Sequence, residues 1–219
     1  MYTVRVLDWY LKRRFGDNEL SVRLGRLVAP LLDARMVLRL TGMLATADGV
    51  LDYHRTLTPA TTPEGRLVNI LGFVQAWSMV VYYPLDNVYW LALHKVIKMS
   101  DHARDESSRY SCIAWLAYIV ADMIMDSLKM RDILRRKAAI ERSKYSQPLS
   151  MTDEQRARER EAISGQISDV ALKYVTNACD LLMAVHWSLK SSPVPPIAVA
   201  VAGSVSSVAG LSLRWKYTK

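Results

Sequence analysis

The sequence has little cysteine and lacks the short motifs that mark most enzyme active sites. Its two cysteines, Cys112 and Cys179, do not lie in a CxxC or other metal-binding spacing, and such sparse cysteine fits a reducing compartment. The sequence contains no P-loop, GxGxxG or GxSxG motif, so nucleotide binding and hydrolase chemistry have no support. The four histidines also show no ligand spacing. We therefore expect no enzyme activity, no metal site and no cofactor.

Recognisable targeting signals are also missing from the two ends of the sequence. Asp8 and the basic run 12–14 interrupt the N-terminal stretch that a secretory signal would keep apolar. Early acidic residues argue against a mitochondrial transit peptide, and the closing Tyr-Thr-Lys is not an address of the Ser-Lys-Leu type. We therefore expect any membrane-directing signal to lie inside the chain.

The composition allows a buried core and favours an acidic partner. Of the 219 residues, 51% are hydrophobic and 23% are charged, and the formal net charge is +8. Such a positive balance indicates binding to an anionic lipid surface or to nucleic acid. The charged segment 129–161 mixes both signs, which is more typical of a solvated helical hairpin than of a nucleic-acid site. We therefore expect an anionic phospholipid membrane as a partner, and no nucleic acid.

The hydrophobic pattern is helical nearly throughout the chain. Pro30 and Pro84 are expected to separate helices, with Asp86–Asn87 starting the helix after Pro84. Thr152–Asp153 offers a cap for a later helix. The pattern predicts helices at 3–14, 20–29, 31–54, 64–82, 85–100, 107–138, 154–190 and 196–214.

Four stretches of the sequence are almost free of charge, at 67–85, 110–121, 174–189 and 195–213. A helical span needs about 20 apolar residues, so the first and last are long enough and the middle two are doubtful. Aromatic side chains crowd one end of the first and of the last stretch, as they do at membrane interfaces. The alternative is that these aromatics form the core of a soluble bundle.

A basic amphipathic segment, residues 31–50, precedes the first apolar stretch. On a helical wheel Arg35 and Arg39 fall in one narrow polar sector, and leucine and methionine spread around the other side. Such a helix can lie in the headgroup plane with its guanidinium groups on lipid phosphates, and Arg23 and Arg26 would extend that surface. The alternative is a core helix of a soluble bundle with its arginines in water.

The last apolar stretch separates by side-chain size when it is drawn as a helix. Valine, isoleucine and leucine occupy one face and would contact lipid. Small residues at this spacing let two helices approach closely in a membrane. Trp215 and Lys216 would anchor the end of the helix at the interface. The small-residue face, which we expect to pack against another helix, consists of Ala198, Ala202, Gly203, Ser206, Ser207 and Gly210.

Two carboxylates lie one helical turn apart, at Asp122 and Asp126. Paired carboxylates can perform acid–base chemistry, or they can pair with Lys129, Arg131 or an arginine on a neighbouring helix. No nucleophile or third group accompanies them, which favours the structural interpretation. His186 lies in the apolar run LLMAVHWSL, and we expect it to be a hydrogen-bonded packing residue rather than a functional one.

The fold class we expect is all-α, a membrane-associated helical bundle with amphipathic helices and one or two weakly hydrophobic spanning helices. The whole chain, 1–219, would form a single membrane domain. Its parts would be basic amphipathic helices at 1–54, apolar helices at 64–128, the charged hairpin at 129–161, and C-terminal helices at 162–219 that include the candidate span 195–213.

Four blocks in series, at 33–49, 82–98, 177–189 and 195–211, resemble the peroxin-11 family of peroxisomal membrane proteins, with gamma-type members closest. The resemblance implies a protein that elongates peroxisomes before division, self-associates, and recruits a dynamin-like GTPase and its membrane adaptor. The implied mechanism is physical: an amphipathic helix, here 31–50, inserts at headgroup level and favours curvature. Two alternatives stay open, a pore for small metabolites and a soluble helical scaffold.

Overall fold

The described part of the chain consists of helices joined by short connections. The computed structural model describes residues 1–16, 18–40, 42–57, 59–146 and 152–218, and it has no strand in these ranges, which confirms the all-α prediction. The predicted helix over 31–54 falls on α2 and α3, and Thr41 between them lies outside the described residues. The helices are α1 (Tyr2–Phe15), α2 (Glu19–Leu40), α3 (Gly42–Thr56), α4 (Pro63–Leu93), α5 (Asp101–Ser146), α6 (Asp153–Ser188) and α7 (Pro196–Tyr217).

Two helix boundaries predicted at proline are wrong. α2 continues through Pro30, and α4 continues through Pro84 to its end. A proline inside a helix removes one backbone hydrogen bond. Packing on both sides of Pro84 outweighs that loss, because Tyr82 and Asp86 are both buried against neighbouring helices. The helix start expected at Asp86–Asn87 is therefore wrong as well.

The caps explain where α4 and α6 begin. The Thr62 side chain accepts a hydrogen bond from the Gly65 N–H at 3.1 Å. Thr152 and Gln155 form a capping box at the start of α6, which confirms the cap predicted at Thr152. α4 ends at Leu93, seven residues before the predicted end at 100, and Lys95 just beyond it has a left-handed φ of 58°.

Helices α4 to α7 form an antiparallel bundle in which each helix packs against the next. At one end of the α4–α5 pair, Arg131 lies 3.1 Å from Glu64. At the other end, the Ser107 hydroxyl donates to the Leu85 carbonyl at 2.9 Å. The apolar stretch 67–85 of α4 therefore lies between these two contacts, alongside the middle of α5.

Among the described residues, three helices are long and apolar enough to cross a membrane, one more than the upper number predicted. They lie within Pro63–Leu93, Asp101–Arg142 and Pro196–Lys216. The sequence makes α5 a doubtful span, because charged residues interrupt its apolar stretch after residue 121. In the fold two of these residues, Asp122 and Asp126, are buried inside the bundle and do not face lipid. Only 11% of the apolar window of α4 is buried, so most of that window remains for contact with lipid.

Helix α6 lies at the same level as the three candidate spans. Asn177 of α6 donates to Asp122 of α5 at 2.8 Å, and Ser206 of α7 donates to Asp180 of α6 at 2.6 Å. These contacts set α6 antiparallel beside two apolar windows. The stretch 174–189, which is doubtful as a span from its sequence, therefore lies at the same level as the apolar windows of α5 and α7. Its carboxylate, Asp180, faces α7 rather than lipid.

Helix α3 runs antiparallel along the outside of α4. Gly42 lies beside the ring of Tyr83, and Tyr53 lies beside Gly72. The Tyr53 hydroxyl also donates to the Asn69 carbonyl at 2.9 Å. This order of contacts places all of α3 at the level of the apolar stretch of α4.

Candidate functional site

The two arginines of the amphipathic segment point into the bundle. Arg35 donates to the Tyr2 hydroxyl, and its guanidinium carbon lies 5.1 Å from the centre of that ring. Arg39 lies 3.2 Å from the Asp86 carboxylate and 5.7 Å from the centre of the Tyr82 ring. Sequence reasoning assigned both arginines to lipid phosphates, whereas the contacts described here are to α1 and α4.

Arg23 and Arg26 lie on the outside of α2, where a membrane surface can reach them. Arg23 pairs with Glu19 at 2.5 Å within the same helix. Nearby, the Ser21 hydroxyl donates to Asp8 at 2.5 Å and ties α2 to α1. This hydrogen bond, together with Lys12, holds the pKa of Asp8 below its ordinary value.

Leucine and other aliphatic side chains cover the outside of α2 and α3. Leu38 is 74% exposed and Leu44 is 73% exposed. This arrangement, with arginines inward and leucines outward, is the reverse of the one expected for a soluble bundle. We call the set the outer apolar face; it consists of Leu31, Val37, Leu38, Met43, Leu44 and Leu51.

Two exposed carboxylates of α3 accompany the outer apolar face. Asp48 and Asp52 are exposed, although α3 lies beside the apolar stretch of α4. A carboxylate at the centre of a span costs about 2.5–3.5 kcal/mol on insertion scales. The position of α3 along α4 is therefore unfavourable once lipid surrounds the bundle, whereas the headgroup region would solvate both carboxylates.

A cavity of about 230 Å³ lies among α1, α2, α4, α5 and α6. Three guanidinium groups line it, from Arg5, Arg35 and Arg39, and Asp86 is the carboxylate among its lining residues. Trp115 and Trp187 form part of its wall, with ring centres 6.2 Å apart. No local sequence pattern predicts this cavity, because five helices from distant parts of the chain contribute to it.

The small-residue face of α7 is largely occupied within the chain. Ala202 and Gly203 are buried against α1, and a side chain at Gly203 would collide with the Tyr2 ring. Ser206 is buried through its hydrogen bond to Asp180 of α6. Ala198 is half-buried near the start of the helix. The valines on the opposite face of α7 remain exposed, as the size pattern predicts.

The remaining predicted residues of α7 lie toward its exposed end. Ser207 donates to the Gly203 carbonyl of its own helix at 2.7 Å. At Gly210 an added Cβ would meet nothing within 4 Å, so this glycine has no close helix contact among the described residues. Trp215 is 65% exposed, as an interface anchor would be. Lys216 instead pairs with Asp169 of α6 at 2.6 Å.

The carboxylates of α5 form a buried polar network. Lys173 of α6 lies 2.8 Å from Asp122 and 3.1 Å from Asp126. Asn177 and Gln75 donate to Asp122 at 2.8 Å and 2.7 Å. This supports the structural interpretation of the pair. Lys129, one of the predicted partners, lies 4.0 Å from Asp126, and Lys173 on α6 is a further partner. Lys173 was missed because no local pattern links it to α5.

His186 has the hydrogen bond that a packing histidine requires. Its Nδ1 lies 2.9 Å from the Ser192 hydroxyl, in the connection between α6 and α7. Its ring also lies against Trp187 at an edge-to-face angle. These contacts agree with the expectation that His186 packs the bundle. Among the described residues, no group of three histidine, cysteine or acidic side chains is placed to hold a metal ion.

Comparison with known proteins identifies the family. Residues 1–215 match the family described as Peroxisomal biogenesis factor 11 (PEX11). The Homo sapiens protein named Peroxisomal membrane protein 11C is 27% identical over 201 residues, which cover 87% of this chain and 75% of that protein. This agrees with the gamma-type resemblance. No solved structure matches the chain. The chain therefore belongs to the peroxisomal biogenesis factor 11 family of peroxisomal membrane proteins.

Proposed function

We propose that the chain elongates the peroxisomal membrane when α3 leaves α4 and inserts at headgroup level beside the end of α2, which stays docked through Arg35 and Arg39. As a member of its family, the chain takes part in peroxisome proliferation. The observation that carries the proposal is the outer apolar face, which lies beside two exposed carboxylates at a level where lipid cannot solvate them.

The proposed mechanism is physical rather than chemical. An amphipathic helix in the membrane plane buries its apolar face about 5–10 Å below the headgroup boundary and expands that leaflet. Arg23 and Arg26 would hold the segment on an anionic surface, each contributing about 1 kcal/mol. The antiparallel bundle of α4 to α7 would anchor the segment in the same membrane.

Self-association would add the force that a single inserted helix lacks. The part of α7 that stays exposed, with Val208 and Leu211 about two-thirds exposed and Gly210 beside them, is a surface on which a second copy could pack. We also propose, from the family resemblance, that the elongated membrane recruits a dynamin-like GTPase through its membrane adaptor. Disulfide cross-linking between two copies of the Gly210→Cys variant would test self-association.

A pore has less support than remodelling. The buried ionisable groups at span level include Asp122, Asp126, Lys173 and Asp180. The first three bind one another and neighbouring amides, and Asp180 accepts from Ser206. Groups engaged in this way stabilise helix packing rather than line an open path. We therefore expect the reconstituted chain to conduct no ions in planar bilayers. Conductance that disappears in Asp122→Asn would support the pore instead.

The proposed function is tested by vesicle tubulation with the full chain. The double variant Leu38→Glu with Leu44→Glu places charge on the outer apolar face at two positions that are about three-quarters exposed, so the fold should tolerate it. We expect it to abolish tubulation of anionic vesicles in electron micrographs. The matched control adds the same charges to two exposed positions of α6, Ala162→Glu with Ser164→Glu. Tubulation by the first variant at the level of the control would contradict the proposal.

A further inference from the structure

We propose that the cavity lined by Arg5, Arg35 and Arg39 binds a phosphate group, carried either by a lipid headgroup or by a soluble phosphate compound. The cavity is partly open to the surface and has a volume of about 230 Å³. This site is separate from the outer apolar face. It does not depend on membrane remodelling, because it can be measured in detergent micelles, where there is no bilayer to bend.

The charge of the lining favours an anion. Asp86 compensates Arg39, which it contacts at 3.2 Å. Arg35 is held by the phenol of Tyr2, which is a neutral partner and leaves the guanidinium charge in place. Three guanidinium groups and one carboxylate line the cavity, and Asp180 of α6 interacts electrostatically with Arg35 and Arg39, so one net positive charge remains.

Arg5 is the group best placed to bind a ligand at the mouth of the cavity. Its side chain is exposed, and it makes no ion pair within the part of the chain that the structure describes. Guanidinium groups present a planar fork of donors that matches phosphate oxygens in pairs. Arg5 can therefore turn toward an anion without breaking an existing pair, whereas Arg35 and Arg39 are already fixed in place by Tyr2 and Asp86.

The level of the cavity in the bundle matches a headgroup. Tyr82, Asp86 and Tyr89 line it from the end of α4, just where the apolar stretch 67–85 stops. Trp187 lines it from the end of α6. The polar network around Asp122 lies instead beside Gln75, at the middle of the same apolar stretch. A phosphate in the cavity would thus sit at the membrane boundary rather than in the hydrocarbon.

The walls of the cavity suit the apolar part of a phospholipid. Leu32 and Met36 line it from α2, and Trp115 lines it from α5. Drug-sized ligands occupy pockets of about 300–1,000 Å³, so this smaller cavity fits a headgroup and its glycerol but not the acyl chains. The chains would leave through the opening and run along the outside of the bundle.

The experiment measures thermal stabilisation of the full chain in detergent micelles. The probes are dioleoyl phosphatidic acid, dioleoylglycerol as the same lipid without phosphate, and inorganic phosphate as the free anion. A ligand that binds the folded chain raises its melting temperature by an amount that grows with the logarithm of the ligand concentration relative to its dissociation constant. We expect phosphatidic acid to raise the melting temperature by several degrees and dioleoylglycerol to leave it unchanged.

Two variants test whether phosphatidic acid binds in the cavity. Arg5→Gln removes one exposed cation and should weaken phosphatidic acid binding about tenfold, the effect of one charge-assisted hydrogen bond. Its matched control is Arg66→Gln, which removes an exposed cation near the start of α4 that does not line the cavity. Ser108→Phe fills the cavity without changing its charge and should abolish binding.

Each outcome decides the proposal. Stabilisation by phosphatidic acid alone would identify a lipid-borne phosphate, and stabilisation by inorganic phosphate as well would show that the free anion suffices; both support the site. Equal effects of phosphatidic acid and dioleoylglycerol would overturn it, as would no effect of either phosphate probe. An equal loss in Arg5→Gln and Arg66→Gln would also overturn it, because general surface charge would then explain the binding.

Discussion

Helices α3 and α7 both lie along the bundle at the level of the apolar stretches, yet they differ in what they expose. α7 exposes only uncharged side chains from 196 to 213, and its buried face has alanine, glycine and serine in close contact with α1 and α6. α3 exposes Asp48 and Asp52 together with its apolar residues. Because a bilayer accepts the first surface and penalises the second, α7 is suited to stay in the membrane and α3 to leave it.

The largest expected effect concerns the close packing of α7. Gly203→Leu would drive a side chain into the Tyr2 ring, so α1 would have to separate from α7. Overpacking of this kind costs about 1–3 kcal/mol of unfolding free energy. The measurement is denaturant unfolding in micelles. Gly210→Leu is the control, since the space beside Gly210 is open and the single chain should keep its stability.

A glycine-to-leucine exchange at the α3–α4 contact should increase membrane tubulation, because it weakens the packing of α3 on α4. In Gly72→Leu the new side chain would press on Tyr53, because an added Cβ already lies 2.9 Å from that ring. A loss of about 1 kcal/mol from the docked state raises the released population about fivefold. We expect vesicle tubulation at lower protein concentration than for the unmodified chain.

If Gly72→Leu instead reduced tubulation while the chain stayed folded, docking against α4 would be part of the active state. α3 would then resemble α7 in function, and the contrast between the two helices would fail. Circular dichroism of the variant in micelles separates this result from simple misfolding.

The smallest expected effect on tubulation comes from removing the hydroxyl group of Tyr53. Tyr53→Phe removes the hydrogen bond to the Asn69 carbonyl and leaves the ring in place. A single hydrogen bond contributes about 0.5–1.5 kcal/mol, so this variant should shift tubulation in the same direction as Gly72→Leu but no further. Tyr10→Phe, at an exposed tyrosine of α1, serves as the control and should leave tubulation unchanged.

The sequence alone predicted the helices and the two faces of α7, because both follow from local periodicity. It misplaced the boundaries at Pro30 and Pro84, because α2 and α4 both continue through their prolines, and at Pro84 the buried neighbours Tyr82 and Asp86 outweigh its local effect. It also missed every long-range partner. Tyr2 lies 33 residues from Arg35, and Lys173 lies 51 residues from Asp122, so only the folded bundle brings these pairs together.

The depth of α3 in a bilayer tests the central claim most directly. In a background of Cys112→Ala and Cys179→Ala, spin labels are attached to Leu51→Cys of α3 or Val205→Cys of α7, two exposed positions beside the middle of the bundle. Their depth is measured by power saturation in anionic vesicles. We predict Val205 near the bilayer centre and Leu51 about 5–10 Å below the headgroups. Equal depth for the two labels would show that α3 stays against α4 and would contradict insertion at headgroup level.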